Sequence, residues 1–368
     1  MLTRKRSVCL GALVLAIALI GAACSSDNKS STSASASSSA APKGANIDYK
    51  SLSGTLNGSG STFQDAFNQK AITQFKTTAP NVSVSYTKSG SGAGKTDLQN
   101  KVVQFAGTDS LIADADKPKF QGGTVLYFPT VGAPITVSYN LNGVDKLQLS
   151  GETLAGIFST AITTWNDPKI AADNPGVTLP NTPIVVVHRS DASGTTNNFT
   201  KFLTKAGGSA WTLGNADSIS WPATTQGAEK NSGVATLIKS TPGAVGYVDL
   251  ADAVNADLTF ASIKNSSGKF VAPTLDAAAA ALAGATVKPD LTYDPINASG
   301  DTAYPITSPT WIIAYQKQPD KATADALKGW LNFLLTDGQG FAQSVGFAKL
   351  PGDLANKAIQ QLDQITTG

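Results

Sequence analysis

Three segments rich in glycine and hydroxyl side chains carry the binding chemistry that this sequence offers. They are residues 58–63 (GSGSTF), 89–96 (SGSGAGKT) and 189–196 (RSDASGTT). Each precedes a segment with a helical pattern, and a helix N-terminus presents unpaired backbone N–H groups and a partial positive charge. Glycine lets the backbone approach a ligand closely, and Ser and Thr hydroxyls add donors. Together the segments predict an anion-binding site, to which Arg189 adds a full positive charge.

The elements that must position these loops alternate between strand and helix patterns. Val82, Val84 and Tyr86 alternate with polar residues as in a strand, and the apolar run 184–187 is typical of a strand buried on both faces of a parallel sheet. The run 276–285 is apolar but short and Ala-rich, which favours a packed helix over a membrane span. Two sets of apolar residues at helical spacing predict two buried helix faces: Phe63, Phe67, Ala71 and Phe75, then Phe199, Phe202 and Leu203. This alternation predicts an α/β fold.

Composition excludes several classes of protein. The chain has 368 residues, with 28 Lys and Arg against 26 Asp and Glu, and 41% of its residues are hydrophobic. This balance excludes a nucleic-acid binder and a disordered chain, and the length allows two domains. His188 is the only histidine, so a multi-histidine metal site is excluded and a Ser-His-Asp triad has a single candidate base. We therefore predict no catalytic residue, no metal and no cofactor, and a structural role for His188.

The N-terminus has the pattern of a lipoprotein signal. Arg4, Lys5 and Arg6 precede the apolar run 8–20, and small residues lead to Cys24. We predict a signal peptide at 1–23 and lipidation of Cys24; a plain secretory signal with an incidental cysteine is the alternative. Residues 24–49 then form the lipidated cysteine and a flexible tether rich in Ser and Ala.

Removal of this signal changes the charge and thiol content of the protein. Cys9 leaves with the signal, so Cys24 is the only remaining thiol and disulfides are excluded. Loss of the three basic residues of the signal leaves the remaining chain with 25 basic and 26 acidic residues. Attraction of an anion must then come from local geometry. The expected location is the outer face of the cytoplasmic membrane.

Motifs along most of the chain resemble one family. Four resemble its ligand loops: LNGSGSTF (56–63), YTKSGSGAG (86–94), FAGTDSL (105–111) and VHRSDASGTT (187–196). Four more follow the family order: TTWNDPKI (163–170), NPGVTLP (174–180), PGAVGYVDL (242–250) and YPITSPTWIIAY (304–315). The family is the phosphate-binding subunit of the phosphate-specific ABC transporter, a substrate-binding lipoprotein.

The resemblance implies a type II periplasmic binding-protein fold with ligand in the cleft between two α/β lobes. Lobe I would comprise 50–132 plus 306–368, and lobe II 133–305, with two hinge crossovers near 129–134 and 303–309. The implied partners are inorganic phosphate, permease subunits with a cytoplasmic ATPase, and the membrane through the lipid anchor. A monomer is expected.

The resemblance also implies the residues of the site. Thr62 supplies a hydroxyl and Phe63 a backbone N–H, supported by Ser61; Ser91 donates from the second loop. The other expected members are the acidic Asp109, the cationic Arg189 with its partner Asp191, and the third-loop donors Ser193, Gly194 and Thr195. Gly92 and Ala93 stand where the family often has Ser and Gly, which leaves the number of donors around Ser91 open.

Asp109 carries the expected selectivity. A protonated phosphate can donate a hydrogen bond to this carboxylate, whereas sulfate is fully ionised and would leave an acceptor facing an acceptor. Two alternatives remain at this stage. One is a binding protein for another oxyanion, such as sulfate, molybdate or a phosphonate. The other is a secreted phosphatase or esterase, which would need His188 as its base.

Overall fold

The structure, a computed structural model, describes residues 42–368. All of them belong to a single structural unit. The predicted signal peptide and Cys24 lie outside the described residues. The described end of the predicted tether is attached to the body, because Lys43 and Ala45 donate backbone N–H groups to the side chains of Asn356 and Asn332 at 3.3 and 2.9 Å.

Strands and helices alternate along the described chain. The strands are β1 (Gly54–Gly60), β2 (Val82–Lys88), β3 (Phe105–Thr108), β4 (Val125–Tyr139), β5 (Gln148–Leu149), β6 (Val185–Arg189), β7 (Gln226–Ala228), β8 (Ala244–Asp249), β9 (Thr259–Phe260), β10 (Ser262–Lys264), β11 (Phe270–Val271), β12 (Thr307–Tyr315), β13 (Lys317–Gln318) and β14 (Thr366–Thr367). The α-helices are α1 (Asp65–Thr78), α2 (Ser91–Gln99), α3 (Gly151–Phe158), α4 (Pro168–Asp173), α5 (Gly194–Ala206), α6 (Lys230–Ser240), α7 (Leu250–Asn255), α8 (Leu275–Ala283), α9 (Lys321–Leu335), α10 (Asp337–Phe341) and α11 (Gly352–Gln361).

One mixed sheet runs through the fold in the order β2-β1-β3-β12-β4-β8-β6-β7, with β9 also paired to β4. At one end β1 is parallel to both β2 and β3, and at the other β6 is parallel to both β7 and β8. Between these two parallel groups, β4 pairs antiparallel with β12 and with β8. The structure therefore confirms the predicted α/β class and shows two parallel groups joined through long antiparallel strands.

Strand β4 changes partner partway along its length. Its residues from Val125 to Pro134 pair with β12, and those from Ile135 to Tyr139 pair with β8. All but the first residue of this strand are buried, as a strand covered on both faces requires. β4 is thus shared by the two halves of the sheet, and its partners change between Pro134 and Ile135.

Most of the predicted elements are confirmed, with one correction. β2 and β6 occupy the predicted strand segments, α8 occupies the Ala-rich run, and the apolar face of α5 is buried. The helix predicted from Phe63 onwards begins only at Asp65, so Phe63 precedes it in a turn. Phe63 is nevertheless buried, because its ring packs against Phe347 at 6.1 Å from the C-terminal part of the chain. Spacing identified a buried position correctly but not the start of the helix.

An aromatic cluster fills the core beside the first parallel group. The ring of Phe75 on α1 meets Trp330 at 5.2 Å and Phe333 at 5.3 Å on α9. These edge-on contacts fix α1, and hence the loop before it, against the sheet. None of the helices within residues 42–368 combines the length and the apolar character that a membrane span needs.

Candidate functional site

The first two loops and Asp109 meet where parallel strands end. β1 ends at Gly60 and β3 ends at Thr108, so the residues that follow both strands emerge at the same edge of the sheet. Backbone hydrogen bonds hold them together: Ser61 donates to Gly107 at 2.8 Å and Gly90 donates to Gly60 at 2.7 Å. Such an edge is the usual place for a ligand in an open α/β sheet.

The third loop packs directly against the second. The backbone N–H of Gly92 donates to the carbonyl of Ala192 at 3.1 Å. Gly194 lies so close to the other loops that an added Cβ would be 2.7 Å from Ser91 Oγ and 2.8 Å from Asp109 Cβ. Any larger residue at this position would force Ser91 or Asp109 to shift. The three glycine- and hydroxyl-rich segments, far apart in sequence, therefore form one site.

Asp109 is the buried acidic group of this site. It is 1% exposed, and the Ser61 hydroxyl donates to its two carboxylate oxygens at 2.7 and 2.6 Å. Ser91 Oγ lies 3.4 Å from Oδ2 and accepts the Asp109 backbone N–H at 3.3 Å. Burial raises the pKa of Asp109 to about 7, against the opposing effects of the Ser61 hydrogen bond and the Arg189 charge. This carboxyl group therefore changes between its protonated and ionised forms near neutral pH.

Arg189 supplies the buried positive charge from the end of β6. It is 3% exposed; its Nε donates to Asp191 Oδ1 at 2.7 Å, and one terminal nitrogen donates to Asp191 Oδ2. The other terminal nitrogen donates to Asn231 Oδ1 at 3.3 Å. Burial alone would raise the pKa of Asp191, but the hydrogen bonds and charge of Arg189 hold it below its ordinary value. The guanidinium plane is therefore fixed by a partner that remains ionised.

The remaining predicted donors surround the same point, and some are engaged within their own loops. The backbone N–H of Phe63 donates to Ser61 Oγ at 3.1 Å. Ser193 is the N-cap of α5, where its Oγ accepts the N–H groups of Thr195 and Thr196 at 3.1 and 3.3 Å. These caps order the loops and aim the N-terminus of α5 at the site.

Asn231 completes the site and was missed by the sequence reasoning. It is fully buried, on the first turn of α6. Its backbone N–H donates to Thr62 Oγ1 at 3.4 Å, and its amide donates to Thr195 Oγ1 at 3.3 Å. Asn231 thereby links the first loop, the third loop and Arg189. The signal in the sequence was the polar run 224–231 (TTQGAEKN), which precedes the apolar residues of α6. This run resembles the other helix starts but lacks their repeated Gly-Ser pattern.

Two more polar groups that the sequence did not single out tie the site to its surroundings. The amide of Asn198 donates to the Asp109 carbonyl at 2.6 Å and to Ser308 Oγ at 2.9 Å. The Tyr247 hydroxyl accepts the backbone N–H of Arg189 at 3.0 Å. Asp109 and Arg189 are thus held through their main chains as well as their side chains.

His188 packs against an aromatic side chain beside the site. Its ring stacks on that of Trp221, with the ring centroids 4.7 Å apart. Its Nδ1 lies 2.9 Å from the carbonyl oxygen of Arg189, the next residue. Burial lowers its pKa. Within residues 42–368 no three His, Cys, Asp or Glu side chains are grouped to hold a metal ion.

Solved structures show the class of this fold. The chain matches PfluDING, a high-affinity periplasmic phosphate-binding protein solved with phosphate at pH 8.5, with a TM-score of 0.69, 24% identity, and coverage of 84% of this chain and 93% of that one. It matches an ABC-type phosphate transport receptor from Vibrio cholerae with a TM-score of 0.55, 19% identity, and coverage of 80% and 100%. These likenesses establish the type II periplasmic binding-protein fold.

Sequence comparison shows the family. Residues 31–338 match a family model described as a PBP superfamily domain. The chain is 35% identical over 321 residues to phosphate-binding protein PstS 3 of Mycobacterium tuberculosis, covering 84% of this chain and 86% of that protein. It is 34% identical over 331 residues to phosphate-binding protein PstS of Methanocaldococcus jannaschii, covering 83% and 85%. The chain therefore belongs to the periplasmic binding-protein superfamily and, within it, to the family of phosphate-binding proteins.

Proposed function

We propose that this protein binds inorganic phosphate outside the cytoplasmic membrane and delivers it to an ABC importer. The names of its relatives support this function, and so does the site. In this proposal Arg189 binds phosphate oxygens with its planar donors, while Thr62, Phe63, Ser91, Ser193, Gly194 and Thr195 donate from helix N-termini and hydroxyls. Ser61 and Asp191 are supporting residues that orient Asp109 and Arg189.

The burial of Asp109 among donors is the observation that carries the proposal. The negative charge of Asp109 would repel an anionic ligand, unless that ligand carries a proton that it can share in a hydrogen bond. Phosphate at neutral pH carries one or two protons, and one of these O–H groups can donate a hydrogen bond to the Asp109 carboxylate. Sulfate has none to donate, and an unpaired buried acceptor costs about 1–3 kcal/mol, or more when it is charged. The proposed role of Asp109 is therefore to accept a hydrogen bond from protonated phosphate.

Ligand binding would close two lobes over the anion. The proposed lobes are 50–132 plus 306–368, and 133–305, close to the change of partner along β4. Contacts between Gly92 and Ala192, and between Thr62 and Asn231, join residues assigned to different lobes. Phosphate contacts both sets of loops only in the closed form, so binding favours closure. The closed form is what the permease subunits, with their cytoplasmic ATPase, would recognise.

Lipid attachment would keep the protein beside its permease. The proposal here rests on the sequence: a signal peptide at 1–23, a lipid on Cys24, and a Ser/Ala-rich segment after it. We propose that the protein acts as a monomer at the outer face of the cytoplasmic membrane. Mass spectrometry of the protein extracted from cells would show the acylated N-terminal Cys24 peptide, and an unmodified Cys24 would exclude the anchor.

Calorimetric titration of the purified protein with phosphate and with sulfate tests the ligand. The proposal expects tight phosphate binding and little sulfate binding at pH 8. Equal affinity for the two anions would favour a broader oxyanion-binding protein. Turnover of a phosphate ester that disappears in His188→Ala would favour a phosphatase. The stacked, half-buried His188 makes that outcome unexpected, since among residues 42–368 its ring has no hydrogen bond to a carboxylate or to a nucleophile.

A further inference from the structure

A single ion pair crosses between the two proposed lobes. Among the nine ion pairs within residues 42–368, only that of Lys95 with Asp217 joins residues assigned to different lobes. Lys95 Nζ lies 2.8 Å from Asp217 Oδ2. Both residues line a cleft of about 970 Å³. The pair therefore lies in a cleft that the proposed closure of the lobes would narrow.

Lys95 is anchored on its own side of this cleft. It lies on α2, one turn after Ser91. Its Nζ also donates to Ser110 Oγ at 2.9 Å and to the Leu111 carbonyl at 3.1 Å. Together with the carboxylate of the ion pair, these acceptors match the three N–H groups of an ammonium. Lys95 therefore holds Ser110 and Leu111, which with Asp109 form the Asp109 loop.

Asp217 is anchored to the start of α5 on the other side. Its Oδ1 accepts the Asn197 amide at 3.1 Å, and its backbone carbonyl accepts the Ser193 N–H at 2.9 Å. Ser193 is the N-cap of α5. Each carboxylate oxygen of Asp217 thus has a donor. The ion pair therefore links the Asp109 loop to the helix N-terminus that packs against it.

Water has little access to this ion pair. The side chains of Lys95 and Asp217 are 14% and 19% exposed. By contrast, the ion pair of Lys321 with Asp325 on α9 has side chains that are 82% and 41% exposed. Removal of one partner from a shielded pair leaves the other charge uncompensated, whereas a charge in open solvent is hydrated. Loss of either charge should therefore disfavour a closed cleft relative to an open one.

The charge of Asp217 by itself works against anion binding. Burial is the main cause of the raised pKa of Asp109, and the negative charge of Asp217 raises that pKa further. Asp217 thus lies close enough to repel an anion bound beside Asp109. Within the described residues, neither side chain of the ion pair is hydrogen-bonded to a proposed phosphate donor. The contact across the cleft is therefore what Asp217 contributes to binding.

We infer that Lys95 and Asp217 are positioning residues that form a latch, an ion pair that holds the Asp109 loop and the N-terminus of α5 together and slows the release of phosphate. The inference rests on the proposed function and adds a determinant of its release rate. Phosphate brings the two lobes together, and the latch then forms outside the phosphate site. The lobes separate only when the ion pair breaks, so the pair limits how fast phosphate leaves.

Release of radiolabelled phosphate into an excess of unlabelled phosphate tests the latch. Asp217→Asn removes the ion pair but keeps an oxygen for the Asn197 amide and the backbone carbonyl for Ser193. The latch predicts release about tenfold faster than from the wild type, because the loss of a shielded charge pair acts mainly on the dissociation rate. Charge alone predicts slower release, since a repulsive carboxylate is gone. Release at the wild-type rate or slower would overturn the inference.

Lys95→Gln completes a double-variant cycle. It should accelerate release by a similar factor, and Asp217→Asn should give no further acceleration in the Lys95→Gln background. Further acceleration there would mean that Asp217 acts without Lys95, which refutes the latch. The exposed ion pair on α9 is the matched control, so Lys321→Gln and Asp325→Asn should release phosphate at the wild-type rate.

Two further measurements keep the outcomes distinct. Circular dichroism checks that each variant is folded, and Asp217→Ser, which loses the same charge, carries the same prediction if Asp217→Asn does not fold. Equilibrium titration of the wild type with phosphate separates the two proposals. No phosphate binding at all refutes the proposed function, whereas phosphate binding without faster release from Asp217→Asn refutes only the latch.

Discussion

Asp109→Asn tests the proposed phosphate selectivity most directly. In the wild type the carboxyl group is buried with a pKa of about 7, so above neutral pH it can only accept hydrogen bonds. Asparagine keeps an oxygen for the Ser61 hydroxyl, which lies 2.7 Å from Oδ1. It replaces the other carboxylate oxygen with an amide that donates. The variant therefore reverses the polarity of the one contact that is proposed to distinguish phosphate from sulfate.

Two effects set the magnitude of the change. Phosphate loses a charge-assisted hydrogen bond, a cost of about 1.5–3 kcal/mol. Sulfate no longer meets an unpaired buried acceptor, a gain of about 1–3 kcal/mol. Taken near their midpoints, the two effects reduce the preference for phosphate over sulfate by roughly 10³-fold, since each 1.4 kcal/mol is a factor of ten.

Calorimetric titration of both anions at pH 8 measures this preference. Asp325→Asn, on the exposed face of α9, makes the same charge change and should leave the preference as in the wild type. As pH falls from 8 to 6, the protonated Asp109 becomes a donor, so wild-type sulfate affinity should rise while that of Asp109→Asn stays flat. If Asp109→Asn discriminates as strongly as the wild type at pH 8, Asp109 does not determine selectivity.

Three further outcomes are expected. Arg189→Lys removes the planar fork that Asp191 holds, so phosphate affinity should fall by about 100-fold or more in the same titration; near wild-type affinity would contradict a bidentate role. Gly194→Ala places a Cβ 2.7 Å from Ser91 Oγ, so binding should weaken at least about tenfold while circular dichroism shows the helices retained; unaltered binding would mean that the loops separate freely. Because the folded-state pKa of Asp109 is raised, its stabilising contribution is complete below about pH 4 and is lost as pH rises through 7. Urea unfolding without ligand should therefore show the wild type losing about 4 kcal/mol relative to Asp109→Asn between pH 4 and pH 8, and parallel pH curves would refute the raised pKa.

The sequence by itself determined the α/β class, the family and the loops that make the site. Strand β6 and the cap of α5 at Ser193 depend on residues a few positions apart, and the glycine- and hydroxyl-rich pattern of the loops is a local property. Such patterns are readable because the interactions they encode lie within one turn or one strand. The spacing that marked Phe63 as buried could not show that α1 starts at Asp65, since Phe63 is buried by Phe347 from the other end of the chain.

Only the tertiary structure decided the environment of Asp109. Its partners Ser61 and Asn198 lie 48 residues before it and 89 residues after it, and they emerge from different strands and helices. Asn231 gains significance in the same way, because the fold brings Thr62 and Thr195 beside it. A pKa depends on burial and on the charges within a few ångströms, and both are properties of the assembled fold. The sequence could therefore name the acidic residue, but the packing around it set the proton affinity on which its proposed selectivity depends.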